Sequence, residues 1–257
     1  MSLIKKTIAP ITLFSSLMFM GMNAKADDDT GKQASWQGRV GVSVISQQLR
    51  EESLHPLRNH GPVFSLEGVV SRRSESNSHE VVLHLPVGVL FDRYGLPAIS
   101  VQYGLEGFGL WHYDQHFSFG YMATANARYR YFPEWDDSHL YWLTDYTLGP
   151  ALHYRVQSYP QLSIQMGFGL ASVISRSPQH PLNKFDNILT LSGFFGVPQQ
   201  NFQFRHLGNF QTGTLRFDYD IGNSSHHSLH YEARLVRVDD ALQFVEVWNK
   251  LGWRYIF

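Results

Sequence analysis

Apolar and polar side chains alternate with a period of two along most of the chain. In segment 81–89 the odd positions are all valine or leucine, and in 162–170 the even positions are all apolar. A period of two predicts β-strands with two unlike faces, and a helical period is nowhere sustained after the N-terminal segment. Turn residues at short intervals divide the pattern. The predicted strands are 35–46, 61–71, 79–90, 97–110, 115–131, 138–156, 160–173, 185–196, 201–207, 212–221, 227–237 and 242–257.

The two faces of these strands differ in a way that indicates a membrane. One face is apolar with aromatic residues at strand ends, and the other is rich in Gly, Ser, Thr and Asn with scattered Arg and Asp. A soluble sandwich also alternates, but its polar face meets water and accepts Lys and Glu freely. A closed barrel in lipid has an apolar outside with aromatic girdles and satisfies all its backbone hydrogen bonds. The aromatic residues at strand ends are Tyr129, Tyr131, Trp142, Tyr154, Trp253 and Tyr255.

We therefore predict an all-β fold, a transmembrane antiparallel up-and-down β-barrel of about twelve strands, with roughly ten to fourteen possible. The connections after odd-numbered strands are longer on average than the others, so we assign them to the outside of the cell. The longest of them, 47–60, has 14 residues, which argues against an adhesin or a receptor. A single domain is expected over residues 27–257.

The N-terminal segment is typical of a secretory signal peptide. Lys5 and Lys6 precede an apolar run over 7–22, and Ala24-Lys25-Ala26 has the form of a cleavage site. The alternative is a membrane anchor helix, but the apolar run is short for a span. We predict a cleaved signal peptide over residues 1–26.

Composition removes several classes of function. The absence of cysteine excludes disulfides, thiolate metal sites and cysteine nucleophiles. The 21 basic and 22 acidic residues are balanced, so net charge predicts no nucleic-acid partner. His226, His227 and His230 form a cluster that could bind a metal, but they lie at a predicted short turn where exposed histidines are ordinary. We expect no metal and no cofactor.

At the end of the sequence, Leu251, Trp253, Tyr255 and Phe257 occupy alternate positions. This pattern resembles the C-terminal strand of Gram-negative outer-membrane proteins, in which a final Phe after alternating apolar residues is the signal for the barrel-assembly machinery. The resemblance implies a location in the cell outer membrane. It also implies outer-membrane lipid, lipopolysaccharide and the assembly machinery as partners.

Charged residues on the polar faces would line the lumen of such a barrel. Their signs are nearly balanced, which leaves two interpretations open: a narrow polar pore with charged walls, or an interior plugged by ion pairs. The predicted lumen-lining charged residues are Glu67, Glu106, Arg128, Arg130, Asp145, Arg155, Arg205, Arg216, Asp218, Asp220, Glu232, Arg234, Glu246, Lys250 and Arg254. By the same alternation, Leu83, Phe119, Trp142, Phe168 and Phe217 should face lipid, and His84, Asn126 and Gln165 the lumen.

Residues 206–209 are His-Leu-Gly-Asn at the end of a predicted strand. The stretch from Gly167 to Asn209 resembles the C-terminal half of outer-membrane lipid A 3-O-deacylases, where a strand ends in His-x-Ser-Asn. The resemblance implies a catalytic role for His206, but Gly208 stands at the position of the nucleophilic serine. Without that hydroxyl no acyl-enzyme can form there. Ser192 is the nearest substitute by sequence.

Two functional hypotheses follow. The first is a small passive channel or structural barrel with a charged polar lumen. The alternative is a lipid-modifying outer-membrane enzyme related to the lipid A deacylases.

Overall fold

A computed structural model of the chain describes residues 35–51, 55–133, 139–176, 202–221, 226–239 and 243–257. The predicted signal peptide and the predicted strand 185–196 lie outside these ranges. No helix within the described residues is long and apolar enough to cross a membrane. The strands are β1 (Ser35–Glu51), β2 (His55–Arg73), β3 (Asn77–Phe91), β4 (Pro97–His112), β5 (Phe117–Phe132), β6 (His139–Arg155), β7 (Leu162–Phe168), β8 (Ala171–Arg176), β9 (Gln203–His206), β10 (Phe210–Ile221), β11 (His227–Val238) and β12 (Phe244–Ile256).

Ten of these strands close into one antiparallel ring, in the order β1-β2-β3-β4-β5-β6-β7-β10-β11-β12 and back to β1. The first and last strands close the ring through a continuous ladder from Arg39–Ile256 to Glu51–Phe244. Closure leaves no strand edge in the ring exposed, which satisfies the backbone hydrogen bonds without water. The predicted fold class, an up-and-down β-barrel, is confirmed.

The remaining strands, β8 and β9, extend two ring strands. Along β6, Ala151 pairs with Gly167 of β7, and Leu148 pairs with Ala171 of β8. The register shifts by one residue between them, so β7 and β8 follow a single path with an irregularity near Gly169. In the same way β9 pairs with β8 while β10 pairs with β7. We predicted an outer connection between strands 201–207 and 212–221, and this was wrong: the turn 207–209 interrupts a path along the barrel wall.

The prediction of a long outer loop over 47–60 was also wrong. β1 continues to Glu51 and β2 begins at His55, so only residues 52–54 lie between them. Alternation persists to the strand end, with Leu49 buried inside and Gln48 exposed outside. A tilted strand needs only about 9–11 residues to cross the hydrocarbon. The polar ends of β1 and β2 therefore project beyond the hydrocarbon. Because the outer face is polar there, these ends lack the apolar outer residues from which a membrane strand is predicted.

The outer face of the barrel is apolar. Leu83, Phe119 and Phe168 are each more than 40% exposed, as expected of lipid-facing side chains. Trp142 has the same parity but is only 4% exposed, because it lies in a cluster with Ala127 and Tyr129. Phe217 is partly buried. The C-terminal residues Leu251, Trp253, Tyr255 and Phe257 are all exposed on the outer face.

The two ends of the barrel differ in their connections. One end carries the start of β1, the end of β12 and short turns such as 74–76 and 113–116, whereas β8 ends and β9 begins towards the other end, with 26 residues of sequence between them. Short turns mark the periplasmic end of outer-membrane barrels. In turn 113–116, Asp114 accepts hydrogen bonds from the backbone N–H groups of His116 and Phe117, both at 2.7 Å. These two bonds hold the pKa of Asp114 below its usual range.

Candidate functional site

The lumen is the candidate site, and its outer half is filled with apolar side chains. These fourteen buried residues form one cluster, which we call the outer seal, with contributions from β8 and every ring strand except β7. Inward parity brings them together, since each lies on the lumen face near the outer end of its strand. The outer seal consists of Ile45, Leu49, Val63, Leu90, Ala98, Phe132, Tyr141, Leu143, Ile174, Phe210, Val236, Val238, Phe244 and Trp248.

The outer seal is closely packed across the barrel. Tyr141 of β6 and Phe244 of β12 stack with their ring centroids 5.9 Å apart. Trp248 meets the edge of His84 on β3 at 5.8 Å. The guanidinium of Arg234 lies 4.6 Å from the Trp248 ring centroid, a cation–π contact that joins the seal to the charged layer below it. No side chain of the seal is more than 4% exposed.

Below the seal, ion pairs cross the lumen. Nε of Arg128 on β5 lies 2.8 Å from Glu246 on β12, and Arg130 reaches the same carboxylate at 2.5 Å. β5 and β12 are five places apart in a ring of ten, so these pairs span the full diameter. Arg128 also binds Asp145. The other pairs between opposite strands are Arg234–Glu106, from β11 to β4, and Arg216–Glu80, from β10 to β3.

A second group of charges surrounds Glu67, whose side chain is fully buried. Arg254 binds one carboxylate oxygen through two nitrogens, at 2.9 and 3.0 Å. Lys250 at 3.1 Å, Ser43 at 2.9 Å and His230 at 3.2 Å bind the carboxylate from other directions. Buried charges are tolerated when they are paired and hydrogen-bonded in this manner. The group therefore fills the lumen with fixed polar contacts.

The structure brings together most of the predicted lumen-lining charges. Glu67, Glu106, Arg128, Arg130, Asp145, Arg216, Glu232, Arg234, Glu246, Lys250 and Arg254 are buried and joined by ion pairs. Arg155, Asp218 and Asp220 are partly exposed nearer the periplasmic end. Arg205 lies on β9, outside the ring strands, and its guanidinium donates a hydrogen bond to Gln203 on the same strand.

Sequence reasoning missed several members of the network. Glu80, Gln47 and His230 all bind charged partners inside the barrel. Glu80 and His230 have the inward parity of their strands, which was the signal that could have identified them. Gln47 was missed because the first predicted strand, 35–46, stops one residue before it.

His206, the candidate catalytic residue of the deacylase hypothesis, is exposed on β9. It pairs with Ala171, which in turn pairs with Leu148 near the middle of β6, so it lies partway along the wall. The end of the ninth predicted strand, 201–207, would have placed it at the outer rim, and this was wrong. Its Nδ1 accepts a hydrogen bond from the backbone N–H of Gly208 at 3.0 Å. A Cβ at Gly208 would lie 2.8 Å from the imidazole, so a serine there would displace His206. Ser192 lies outside the described residues.

The histidine cluster separates across the barrel wall. His230 lies inside against Glu67, whereas His227 stacks on Trp253 of the outer face with ring centroids 5.3 Å apart. Within the described ranges, no group of three or more His, Asp or Glu residues could hold a metal ion.

At the periplasmic end the lumen opens into a cavity of about 560 Å³, which we call the periplasmic cavity. Its floor is the ion pair of Arg216 with Glu80, and Asp218 binds the same guanidinium at 2.8 Å. Arg73 and Arg155 line its walls. The lumen thus has three layers: an open polar cavity, a layer of ion pairs and the outer seal.

The closed ring, the apolar exterior and the filled interior together define a transmembrane β-barrel. Bacterial single-chain barrels of this architecture belong to the outer membrane, and the chain is an outer-membrane β-barrel protein.

No protein-family model and no curated protein matches the sequence. Among solved structures, the outer membrane protease OmpT from Escherichia coli is similar at 9% identity and a TM-score of 0.49, with 89% of this chain and 100% of that chain covered. The translocator domain of autotransporter NalP from Neisseria meningitidis has 10% identity and a TM-score of 0.42, with 94% of this chain and 97% of that chain covered. The beta domain of the Bordetella autotransporter BrkA has 10% identity and a TM-score of 0.43, with 85% of this chain and 98% of that chain covered. At these identities the likeness concerns the fold alone.

Proposed function

We propose that this protein is a structural outer-membrane barrel whose resting lumen is closed to solutes. The observation that carries the proposal is the outer seal, in which fourteen buried apolar residues meet across the lumen. An apolar constriction excludes water and ions even before it is sterically closed, because neither can be solvated there. Of the two interpretations that the sequence left open, this favours the plugged interior over the open pore.

The ion-pair layer supports the same proposal independently. Charges that tune an open pore need to face water, whereas Arg128, Glu246 and Glu67 are buried and bind one another or fixed partners. Pairs such as Arg128–Glu246 cross the full diameter and would have to separate before a solute could pass. Separating a buried pair leaves uncompensated charges, at a cost of about 3–5 kcal/mol.

The exterior supports the proposed partners. Outward-facing residues such as Phe64, Leu66 and Leu148 are more than half exposed, and outer-membrane lipid, including lipopolysaccharide, is the solvent that would cover them. We further propose that the exposed C-terminal residues Trp253, Tyr255 and Phe257 are recognised by the barrel-assembly machinery.

Single-channel conductance of the purified protein in a planar lipid bilayer tests the closed lumen. The wild-type protein should show no steady current steps. A combined variant opens both layers and should produce current steps: Tyr141→Ala and Phe244→Ala remove the stacked pair of the seal, and Arg128→Ala and Glu246→Ala remove a transluminal ion pair. The matched control removes two aromatic side chains of the lipid face, Phe119→Ala and Phe168→Ala, and the exposed ion pair, Arg237→Ala and Asp239→Ala, and should remain silent. Steady ohmic steps from the wild type would establish an open pore and contradict the proposal.

A further inference from the structure

The periplasmic cavity carries an excess of positive charge that the ion-pair layer does not use. Arg216 is neutralised by Glu80 and Asp218, and Asp218 also binds Arg254 at 3.1 Å. Arg39, Arg73 and Arg155 line the same cavity, and Asp220 is the carboxylate among its described lining residues that forms no salt bridge. Counted together, the arginine side chains of the cavity outnumber its carboxylate side chains by two, since it is lined by Arg39, Arg72, Arg73, Arg155 and Arg216 and by Glu80, Asp218 and Asp220.

Arg73 and Arg155 are placed to share one anion. Both have inward parity at the periplasmic ends of β2 and β6, where Arg73 is exposed and Arg155 is partly exposed. Neither guanidinium has a hydrogen bond or salt bridge to any described part of the chain. Their positive charges repel each other, and each charge also interacts electrostatically with the imidazole of His112. An anion between them would remove this repulsion, and the planar guanidinium fork matches the oxygens of a phosphate.

The cavity wall supplies further donors beside these arginines. Strand register brings His112, Ser118, His153, Gln165 and Arg216 into one row across five successive ring strands. Nδ1 of His112 lies 2.7 Å from the hydroxyl of Ser118, which fixes the ring. Its other nitrogen, Nε2, is buried without a hydrogen-bond partner among the described residues. Buried polar atoms are normally hydrogen-bonded, and an anion bound in the cavity would provide this nitrogen with an acceptor.

We propose that the periplasmic cavity binds phosphate, as the free ion or as the monoester of a small solute, with Arg73, Arg155 and His112 as the principal donors. A phosphate carries close to two negative charges at neutral pH, which matches the excess of two positive charges in the cavity. The cavity of about 560 Å³ has room for a small ester beyond the phosphate itself. The ligand enters from the periplasm, because the seal closes the opposite end.

Isothermal titration calorimetry on the purified full-length barrel in a non-ionic detergent tests this inference, with inorganic phosphate and glycerol 3-phosphate as separate probes. Saturable binding of either probe is expected. Binding of the ester indicates a solute site, and binding of the free ion alone indicates a phosphate site. Arg73→Gln and Arg155→Gln should each weaken binding about tenfold, the effect of one charge-assisted hydrogen bond.

Two further variants keep the test independent of folding. Arg93→Gln removes an exposed arginine from the β3–β4 connection at the opposite end and should leave the dissociation constant unchanged. Asp220→Asn removes the unbridged carboxylate of the cavity and should tighten binding several-fold, which a misfolded protein could not do. The inference is overturned if neither probe binds, if Arg93→Gln weakens binding as much as Arg155→Gln, or if Asp220→Asn fails to strengthen it. A conducting wild-type barrel would contradict the closed lumen but would leave this binding result unaffected.

Discussion

The carboxylate of Glu246 on β12 lies 2.8 Å from Nε of Arg128 on β5, although the two strands stand on opposite sides of the ring. Arg130 donates a hydrogen bond to the same carboxylate at 2.5 Å, so one acid forms ion pairs with two arginines across the full width of the lumen. A contact of this kind stabilises the closed ring, because it exists only when the barrel has formed. It also occupies the space through which a solute would pass.

Glu246→Gln should destabilise the barrel by about 3–5 kcal/mol, since it leaves two buried guanidinium groups without their shared charge. Chemical unfolding in lipid vesicles, followed by tryptophan fluorescence, measures the loss. The matched control is Asp239→Asn. Asp239 pairs with Arg237 at 3.0 Å, but both side chains are more than a third exposed, so the expected loss is only about 0–1 kcal/mol. Equal losses in the two variants would show that the ion pairs across the lumen stabilise the barrel no more than an exposed pair does.

Phe168→Arg should cost about 2–4 kcal/mol, because Phe168 is exposed on the lipid face at a level near the middle of β6. Gln48→Arg tests the same substitution on the outer face of β1 near its projecting end and should be nearly neutral. The same unfolding measurement in vesicles compares the two. A neutral Phe168→Arg variant would mean that this face does not contact hydrocarbon.

Phe257→Ser should lower the amount of assembled barrel in cells by weakening the proposed recognition of the last strand. The assembled fraction is measured by heat-modifiable migration on gels, because a closed sheet resists detergent until boiled. Val40→Ser is the control, since Val40 is also an exposed outward-facing residue and pairs with Tyr255 in the neighbouring strand. An assembled fraction equal to wild type for Phe257→Ser would remove the proposed role of this residue.

Cells that express the protein should show unchanged lipid A acylation by mass spectrometry. The reason is local: His206 is hydrogen-bonded to the backbone of Gly208, which offers no nucleophile. His206→Ala should therefore give the same lipid A profile as wild type. Loss of one 3-hydroxyacyl chain with the wild-type protein, restored by His206→Ala, would establish the enzyme in place of the structural barrel.

The sequence by itself determined the class of fold. Strict alternation in segments such as 81–89 and 117–126 fixes which side chains face lipid, because successive side chains of a strand point to opposite faces. The same parity places Glu106, Arg128 and Asp145 inside. Which face a side chain occupies depends only on the local geometry of its own strand, so it can be inferred without knowing how the strands pair.

Only the tertiary structure decided the number of ring strands and the state of the lumen. Alternation cannot show that β7 and β8 form one path, because that depends on which residues of β6 they pair with. It cannot show that Arg128 meets Glu246, since their contact arises when distant strands become opposite members of a ring. The outer seal has the same origin: residues such as Leu49 and Tyr141 are unremarkable alone, and they close the lumen because ring closure brings their strand ends to one level.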